Sequence, residues 1–282
     1  MNYRHAYHAG NFADVHKHAA LALILEHLKR KDAPFAYVDS HAGVGAYDLA
    51  SVQAEKTGEW QGGIAKVTAA ADPPEELAPF LAAVRALNPA GGLRHYPGSP
   101  MIAALLARAG DRLALCELHP EDAAELRARF AADRRVGVHH RDGYDGLKAL
   151  LPPPERRGLV LIDPPFEVRD EFERMRTGLV QALKRWPTGL YALWYPIKAR
   201  AAIERFHADL AMLGLPRTIA ADIWIRGGDD PDRLNGCGLA VVNPPWKLDE
   251  ALGRLMPWLA RTMGEAGATS RLDWIVPEKA GH

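Results

Sequence analysis

A carboxylate, two prolines and an aromatic ring follow one another at Asp163, Pro164, Pro165 and Phe166, directly after the apolar run 159–162. Such a cluster suits a flat, amino-bearing substrate. The carboxylate and the Pro164 carbonyl are acceptors for the two hydrogens of an exocyclic amine, and the ring offers a face for stacking. Proline at 165 stiffens the loop between them. A near copy, Asn243, Pro244, Pro245 and Trp246, follows the apolar run 239–242. Either cluster could equally be the plain end of a strand. What separates them is the edge of the sheet on which each emerges, because ligands of open α/β sheets bind beyond the carboxyl ends of the parallel strands.

Further polar or flexible residues fall at the ends of apolar runs. The run 35–40 leads into "DSHAGVGAY", whose Gly43 and Gly45 let backbone approach a ligand or simply turn the chain. The run 112–118 reaches Glu117, in the position where an acid bonds ribose hydroxyls; a helix-start acid before "HPED" is the plainer reading. The run 136–142 ends at Asp142 and Gly143. One strand-end acid is common, whereas three at successive strand ends, with a glycine turn after the first strand, form a specific pattern.

The elements that must position these residues alternate. Strand candidates 35–40, 112–118, 136–142, 158–163 and 189–195 are mostly apolar throughout, as parallel strands covered on both faces are. Helical patterns at 120–133 and 169–186 lie between them. The alternation predicts a doubly wound, mostly parallel sheet. Segments 218–227 and 236–246 are joined only by "GDDPDRLN", which suits an antiparallel hairpin because a parallel crossover needs a dozen or more residues. On that topology Asn243 emerges at the edge opposite Asp163, and Trp246 packs under the last helix as scaffold. The interval between the first two long strands is too long for one helix. Residues 50–95 are therefore expected to form a small helical insertion in a domain made of 1–49 and 96–282. The crossover helix after it would start with Ser99 as N-cap and Pro100 at N1. Residues 12–31 read as an amphipathic helix.

Composition bounds the partners. The 282 residues carry no net formal charge, so a polyanion would have to meet a local basic patch. No signal peptide and no membrane-spanning apolar run is visible, and two cysteines, Cys116 and Cys237, suit a reducing, cytoplasmic setting. Four histidines, His5, His8, His16 and His18, cluster near the amino terminus, yet they lack a zinc-type spacing, so no metal is expected. Residues 1–31 hold five Lys or Arg against two acids, an excess of +3, with Tyr3 and Tyr7 interleaved; this reads as an RNA-facing surface, apart from the solvated helix end at Lys29, Arg30 and Lys31. Arg156, Arg157 and Arg169 could add phosphate contacts near the Asp163 loop.

Taken together, "YRHAYHAGNFADVHKH", "DSHAGVGAY", "YPGSP", "ELHP", "RDGYDGLKALLPP", "RRGLVLIDPPFE", "YALWYP" and "NPPWKL" resemble the bacterial 23S ribosomal RNA adenine-N6-methyltransferases of the RlmJ type, in order and spacing over nearly the whole chain. The resemblance implies a Rossmann-like methyltransferase fold with an inserted helical subdomain. It also implies S-adenosyl-L-methionine as methyl donor, S-adenosyl-L-homocysteine as product and 23S ribosomal RNA as partner of a monomeric enzyme. Cofactor contacts would fall on His18, His41, Ser99, Glu117, Asp142, Gly143 and Asp163, with Lys17 a further neighbour. Asp163, Pro164 and Phe166 would be catalytic, and Tyr3, Arg4 and Phe166 would meet the RNA. Phe166 departs from the family's tyrosine: the ring survives for stacking, and the hydroxyl is gone. The competing expectations are a DNA adenine-N6-methyltransferase and a non-catalytic, cofactor-binding ribosome-assembly factor.

Overall fold

The computed structural model describes residues 4–230 and 232–277. Helix α1 (Phe12–Lys29) leads into β1 (Ala36–Asp39) and β2 (Ala46–Asp48). Helices α2 (Val52–Thr57), α3 (Glu59–Gly62), α4 (Ile64–Ala69) and α5 (Ala78–Leu87) follow, then β3 (His95–Pro97) and α6 (Ser99–Leu106). Next come β4 (Arg112–Glu117), α7 (Pro120–Arg129), β5 (Val136–His140), α8 (Gly143–Leu150), β6 (Gly158–Ile162), α9 (Glu171–Arg185), β7 (Leu190–Ile197) and α10 (Arg200–Met212). Strands β8 (Thr218–Trp224) and β9 (Gly236–Val242), helix α11 (Leu248–Met263) and β10 (Thr269–Val276) complete the order.

Eight strands form one sheet in the order β10–β8–β9–β7–β6–β1–β4–β5. The five strands from β7 to β5 are parallel, and β9 runs antiparallel to both β7 and β8. Helices cover both faces, which is why the strands read as unbroken apolar runs. Along β6, Leu159 and Leu161 join one core while Val160 and Ile162 join the other. The chain winds outward from β1 in two directions, to β4 and β5 on one side and to β6 and β7 on the other. That reversal opens a crevice at the carboxyl ends of β1 and β6. Among the described residues no helix is long and apolar enough to cross a membrane.

The structure corrects several expectations. The carboxyl-terminal hairpin gains a third antiparallel strand, β10, on its outer edge. Helix α1 is not amphipathic. It is buried around most of its circumference because β9, α5, α6 and α11 pack on it. His16 and His18 are accordingly buried rather than RNA-facing, and Lys17 with them. Helix α6 is capped by Gly98, and Ser99 lies in its first turn with its hydroxyl donating to Asp39 Oδ2 at 2.7 Å. Trp246 is 66% exposed and does not pack under α11. The chain adopts left-handed backbone on either side of it, at Asn243 and Lys247.

The buried His16 ring hydrogen-bonds the Ala221 carbonyl through Nε2 at 3.0 Å, and burial pushes its pKa down to about 4. A depressed folded-state pKa means stability that is complete above the unfolded value of 6.5 and is lost as pH falls toward 4. Asp39 and Asp222, raised by burial to about 6, act in the opposite sense, so a single-site comparison is needed. Relative to His16→Gln, the wild type is expected to lose about 2 kcal/mol between pH 6.5 and pH 5, at about 1.4 kcal/mol per unit. Urea unfolding at the two pH values measures this, and an unchanged difference would remove His16 as a neutral buried ring.

Candidate active site

The carboxyl ends of β1, β4, β5 and β6 open on a cavity of about 1060 Å³. Its wall brings together Lys17, His18, His41 and Ser99 with Glu117, Asp142 and Gly143, and with Asp163, Pro164 and Phe166. Each acid is placed by the end of its own strand, and neighbouring parallel strands bring successive ends to one edge.

Asp163 leaves β6 with its side chain 14% exposed, and its Oδ2 accepts from Lys17 Nζ at 2.6 Å. The same ammonium donates to Asp14 Oδ1 at 2.9 Å, and Asp14 Oδ2 lies 2.8 Å from His5 Nε2 and accepts from the Gly10 amide. Burial disfavours charge on both Lys17 and Asp14, but their partners outweigh it. Asp14 and Asp163 hold the lysine well above its ordinary range, and His5, Lys17 and His18 hold Asp14 well below its own. The ammonium also lies 5.7 Å from the Trp194 ring. The result is a fixed carboxylate with Oδ1 left to accept from a ligand.

Phe166 adopts a φ of 52°, a left-handed conformation that a non-glycine residue keeps only when its surroundings dictate it. Those surroundings are Phe172 and Trp194, whose rings meet Phe166 edge-on at 5.0 and 6.0 Å. The bend carries the ring out of the strand line and onto the cavity wall.

At the other end, Glu117 accepts from the Gly43 amide at 2.8 Å through Oε2 and from the His119 amide at 2.7 Å through Oε1. A side chain at Gly43 would demand a strained φ of 63° and would place Cβ 2.5 Å from the Tyr47 hydroxyl, so glycine is required. Asp142 caps α8, accepting from the Tyr144 and Asp145 amides, and Arg174 reaches its second oxygen at 3.5 Å. At Gly143 a Cβ would lie 2.2 Å from the Ser40 carbonyl, so glycine lets α8 begin against the β1 loop. His41 pairs with Ser40 Oγ at 2.7 Å and stands edge-on to Tyr144; burial lowers its pKa to about 4. His18 Nδ1 meets the Tyr96 hydroxyl at 2.7 Å, and burial with the Lys17 charge pushes its pKa well down.

Other site residues fall differently. Arg4 pairs with Glu121 and Asp122 of α7, both at 2.8 Å, and Tyr3 lies outside the described residues. Arg157 donates to the Ala33 and Leu28 carbonyls at the amino edge of β6, away from the Asp163 loop, because it precedes that strand instead of following it. Arg169 is exposed just beyond the loop. Asn243 also lies at the amino edge, where its amide donates to Pro187 and Gly189 carbonyls. Three buried acids at or beside the site escaped the sequence reading; one, Glu171, lies on the cavity wall and accepts from the Tyr144 hydroxyl at 2.8 Å. Asp14 resembles an ordinary first-turn acid after the Asn11 cap. Asp39 ends β1 as the other acids end their strands, and that spacing could have found it; it accepts from Tyr37 and Ser99, and burial raises it to about 6. Among the described residues no group of three or more His, Cys, Asp or Glu side chains is placed to hold a metal ion.

Two carboxylates at one end can take hydroxyl and amine hydrogens, while a fixed carboxylate, a backbone carbonyl and a ring at the other can hold a flat amine. Residues 32–276 match the family model described as "Ribosomal RNA large subunit methyltransferase D, RlmJ". The chain is 45% identical over 279 residues to the ribosomal RNA large subunit methyltransferase J of Escherichia coli K12, covering 99% of this chain and 100% of that one. With the protein of the same name from Haemophilus influenzae the identity is 42% over 280 residues, again covering 99% and 100%. The crystal structure of a Legionella pneumophila protein superposes with a TM-score of 0.87 at 32% identity, over 95% of this chain and 98% of that one. The chain belongs to the RlmJ family of ribosomal RNA large subunit methyltransferases.

Proposed function

We propose that this methyltransferase uses S-adenosyl-L-methionine to methylate N6 of a specific adenine in 23S ribosomal RNA, leaving S-adenosyl-L-homocysteine. The observation that carries this reading is the Asp163 carboxylate, fixed by Lys17, opening on the same cavity as Glu117 and Asp142. The donor set fits the cofactor: Glu117, held by two amides, keeps lone pairs for ribose hydroxyls, and Asp142 keeps an oxygen for the adenine end. His18, His41, Ser99, Gly143 and Lys17 complete its surroundings. The bound cofactor supplies an electrophilic sulfonium methyl.

An exocyclic adenine amine is a poor nucleophile because its lone pair is delocalised into the ring. Asp163 Oδ1 and the Pro164 carbonyl accept its two hydrogens and favour a pyramidal nitrogen. Asp163 is also the group placed to take the amine proton. Phe166 stacks on the base, which must be splayed out of its helix or loop to reach the site. Positioning supplies much of the acceleration. Arg4 reaches RNA only by leaving Glu121 and Asp122, and Tyr3 is assigned to the substrate by family resemblance. The chain acts as a monomer in the cytoplasm, where its two buried free thiols, Cys116 and Cys237, stay reduced.

Incubation with labelled S-adenosyl-L-methionine and 23S RNA, assembled subunits or duplex DNA tests the reading. Label is expected in RNA alone, as N6-methyladenosine. Label in DNA would replace the RNA substrate, and no label in any of them would leave a non-catalytic binding protein.

A further inference from the structure

The carboxyl edge of the sheet is not level. Strand β6 ends at Ile162, opposite Leu193, whereas β7 runs on to Ile197, backed there by Gly236 of β9, which pairs in turn with Trp224 of β8. Four further residues at about 3.3 Å each raise this flange roughly 13 Å beyond the Asp163 strand. Asn235, fully buried, ties its rim together: its side-chain amide donates to the Lys198 carbonyl at 2.7 Å and the Asp230 carbonyl at 2.6 Å, and its backbone amide to Ile197. The rim is thus a built structure on one side of the cavity mouth.

The two ends of the cavity differ in charge. The end toward β4 and β5 carries Glu117, Asp122, Asp142 and Glu171 against Arg174. The flange end carries Lys198, Arg226 and Arg233, joined by Lys66 of α4, against Glu265 and, beside Phe166, Glu167. Arg226 donates to Glu265 at 3.1 Å, and this bond with the charges of Arg226, Arg233 and Lys66 holds the Glu265 carboxyl below its usual range. Three cations therefore surround one carboxylate, an excess of two positive charges. Lys198 is exposed and makes no ion pair with the described residues. Asp229, Asp230 and Asp232 share the β8–β9 loop but do not line the cavity; Asp229 instead accepts from the Arg200 amide at the start of α10. In a chain with no net charge, such a local excess marks where a polyanion approaches.

Resting on the proposed RNA methylation, we infer that Lys66, Lys198 and Arg233 form a phosphate-binding rim that grips the RNA backbone flanking the target adenine. A base turned into the site hangs from a phosphodiester strand that must stay outside it, and the flange meets that strand beside Phe166. Phosphate contacts position without reading sequence, so the rim sets affinity and register and leaves base identity to the Asp163 loop.

The test uses the full chain, a 23S RNA fragment and S-adenosyl-L-methionine. Lys198→Gln with Arg233→Gln is expected to raise KM for RNA about tenfold, leaving kcat at saturating RNA and cofactor affinity unchanged. The slope of log KM against log salt should fall by about 1.4, at about 0.7 per lost single-strand contact. Each single variant should give about half of that change in slope. Glu265→Gln, which frees positive charge, should lower KM, a gain that mere damage to the fold would not produce. Wild-type salt slope and KM in the double variant would overturn the rim alone. Absence of any wild-type transfer to RNA would overturn the methylation reading and the rim together.

Discussion

Asp163→Asn is expected to reduce methyl transfer by on the order of 10³-fold or more, with cofactor affinity kept within a few-fold. The side chains have the same shape, so the variant isolates charge and acceptor capacity from packing. Lys17 Nζ sits 2.6 Å from Oδ2 and would select the amide oxygen of asparagine as its partner. The amide nitrogen would then face the substrate, presenting hydrogens where the adenine amine also presents hydrogens. One acceptor becomes a donor, and the proton loses its destination. Lys17 keeps Asp14 at 2.9 Å, so the fold should hold. Single-turnover transfer and a cofactor titration on the same sample separate the two effects. Turnover within tenfold of wild type would remove Asp163 from the chemistry.

That residue stood out in the sequence because apolar runs ending in acids are visible without a structure. Strands β4, β5 and β6 end within two residues of the expected positions, and their acids share one edge because the strands are parallel. What was not legible has physical causes. Strands β2 and β3 span three residues each, too few to show a period. Strand β10 pairs along one edge only and is partly exposed along its length, and its polar–apolar alternation holds only over Arg271–Trp274, too short a run to stand out. Helix α1 misled because histidines and a lysine normally mark a wet face. Here His16 is answered by a carbonyl 205 positions away, Lys17 by a carboxylate 146 away and His18 by a hydroxyl 78 away. Partners so distant are fixed only by the fold. Asp14 differs: its partners Gly10 and Lys17 lie within four positions, and only its burial under the rest of the fold sets it apart from an ordinary first-turn acid.

Lys17→Met is expected to destabilise the protein by about 3 kcal/mol and to impair transfer as well, because it removes one partner from a buried charge cluster. The methionine fills similar volume, so lost packing is a minor part. The Lys17 side chain is 5% exposed and Asp14 only 2%, so the Asp14 carboxylate cannot recover its lost partner from bulk water. His5 still faces Asp14, which places the loss at the low end of the usual range of about 3–5 kcal/mol. Sign follows from the native shift: Asp14 is depressed below its unfolded value, so its contribution is present above that value and is lost as pH falls through the folded one. Without Lys17 the carboxyl loses one of the charges that hold it down, so its folded-state value rises and less of its contribution to stability remains. The stability gap between wild type and variant should therefore be full at neutral pH and narrow in acid. Adding Asp14→Asn removes the stranded charge, so Asp14→Asn with Lys17→Met should be more stable than Lys17→Met alone, by about 0.5–3 kcal/mol. Urea unfolding of the wild type and the three variants closes this cycle. If Asp14→Asn and Lys17→Met simply add, the two residues are not coupled and Lys17 is not the group that keeps Asp14 charged. The double variant should also remain poor in transfer, because Asp163 Oδ2 is still without its ammonium. Recovery of stability without recovery of rate would show one lysine serving the core through Asp14 and the chemistry through Asp163.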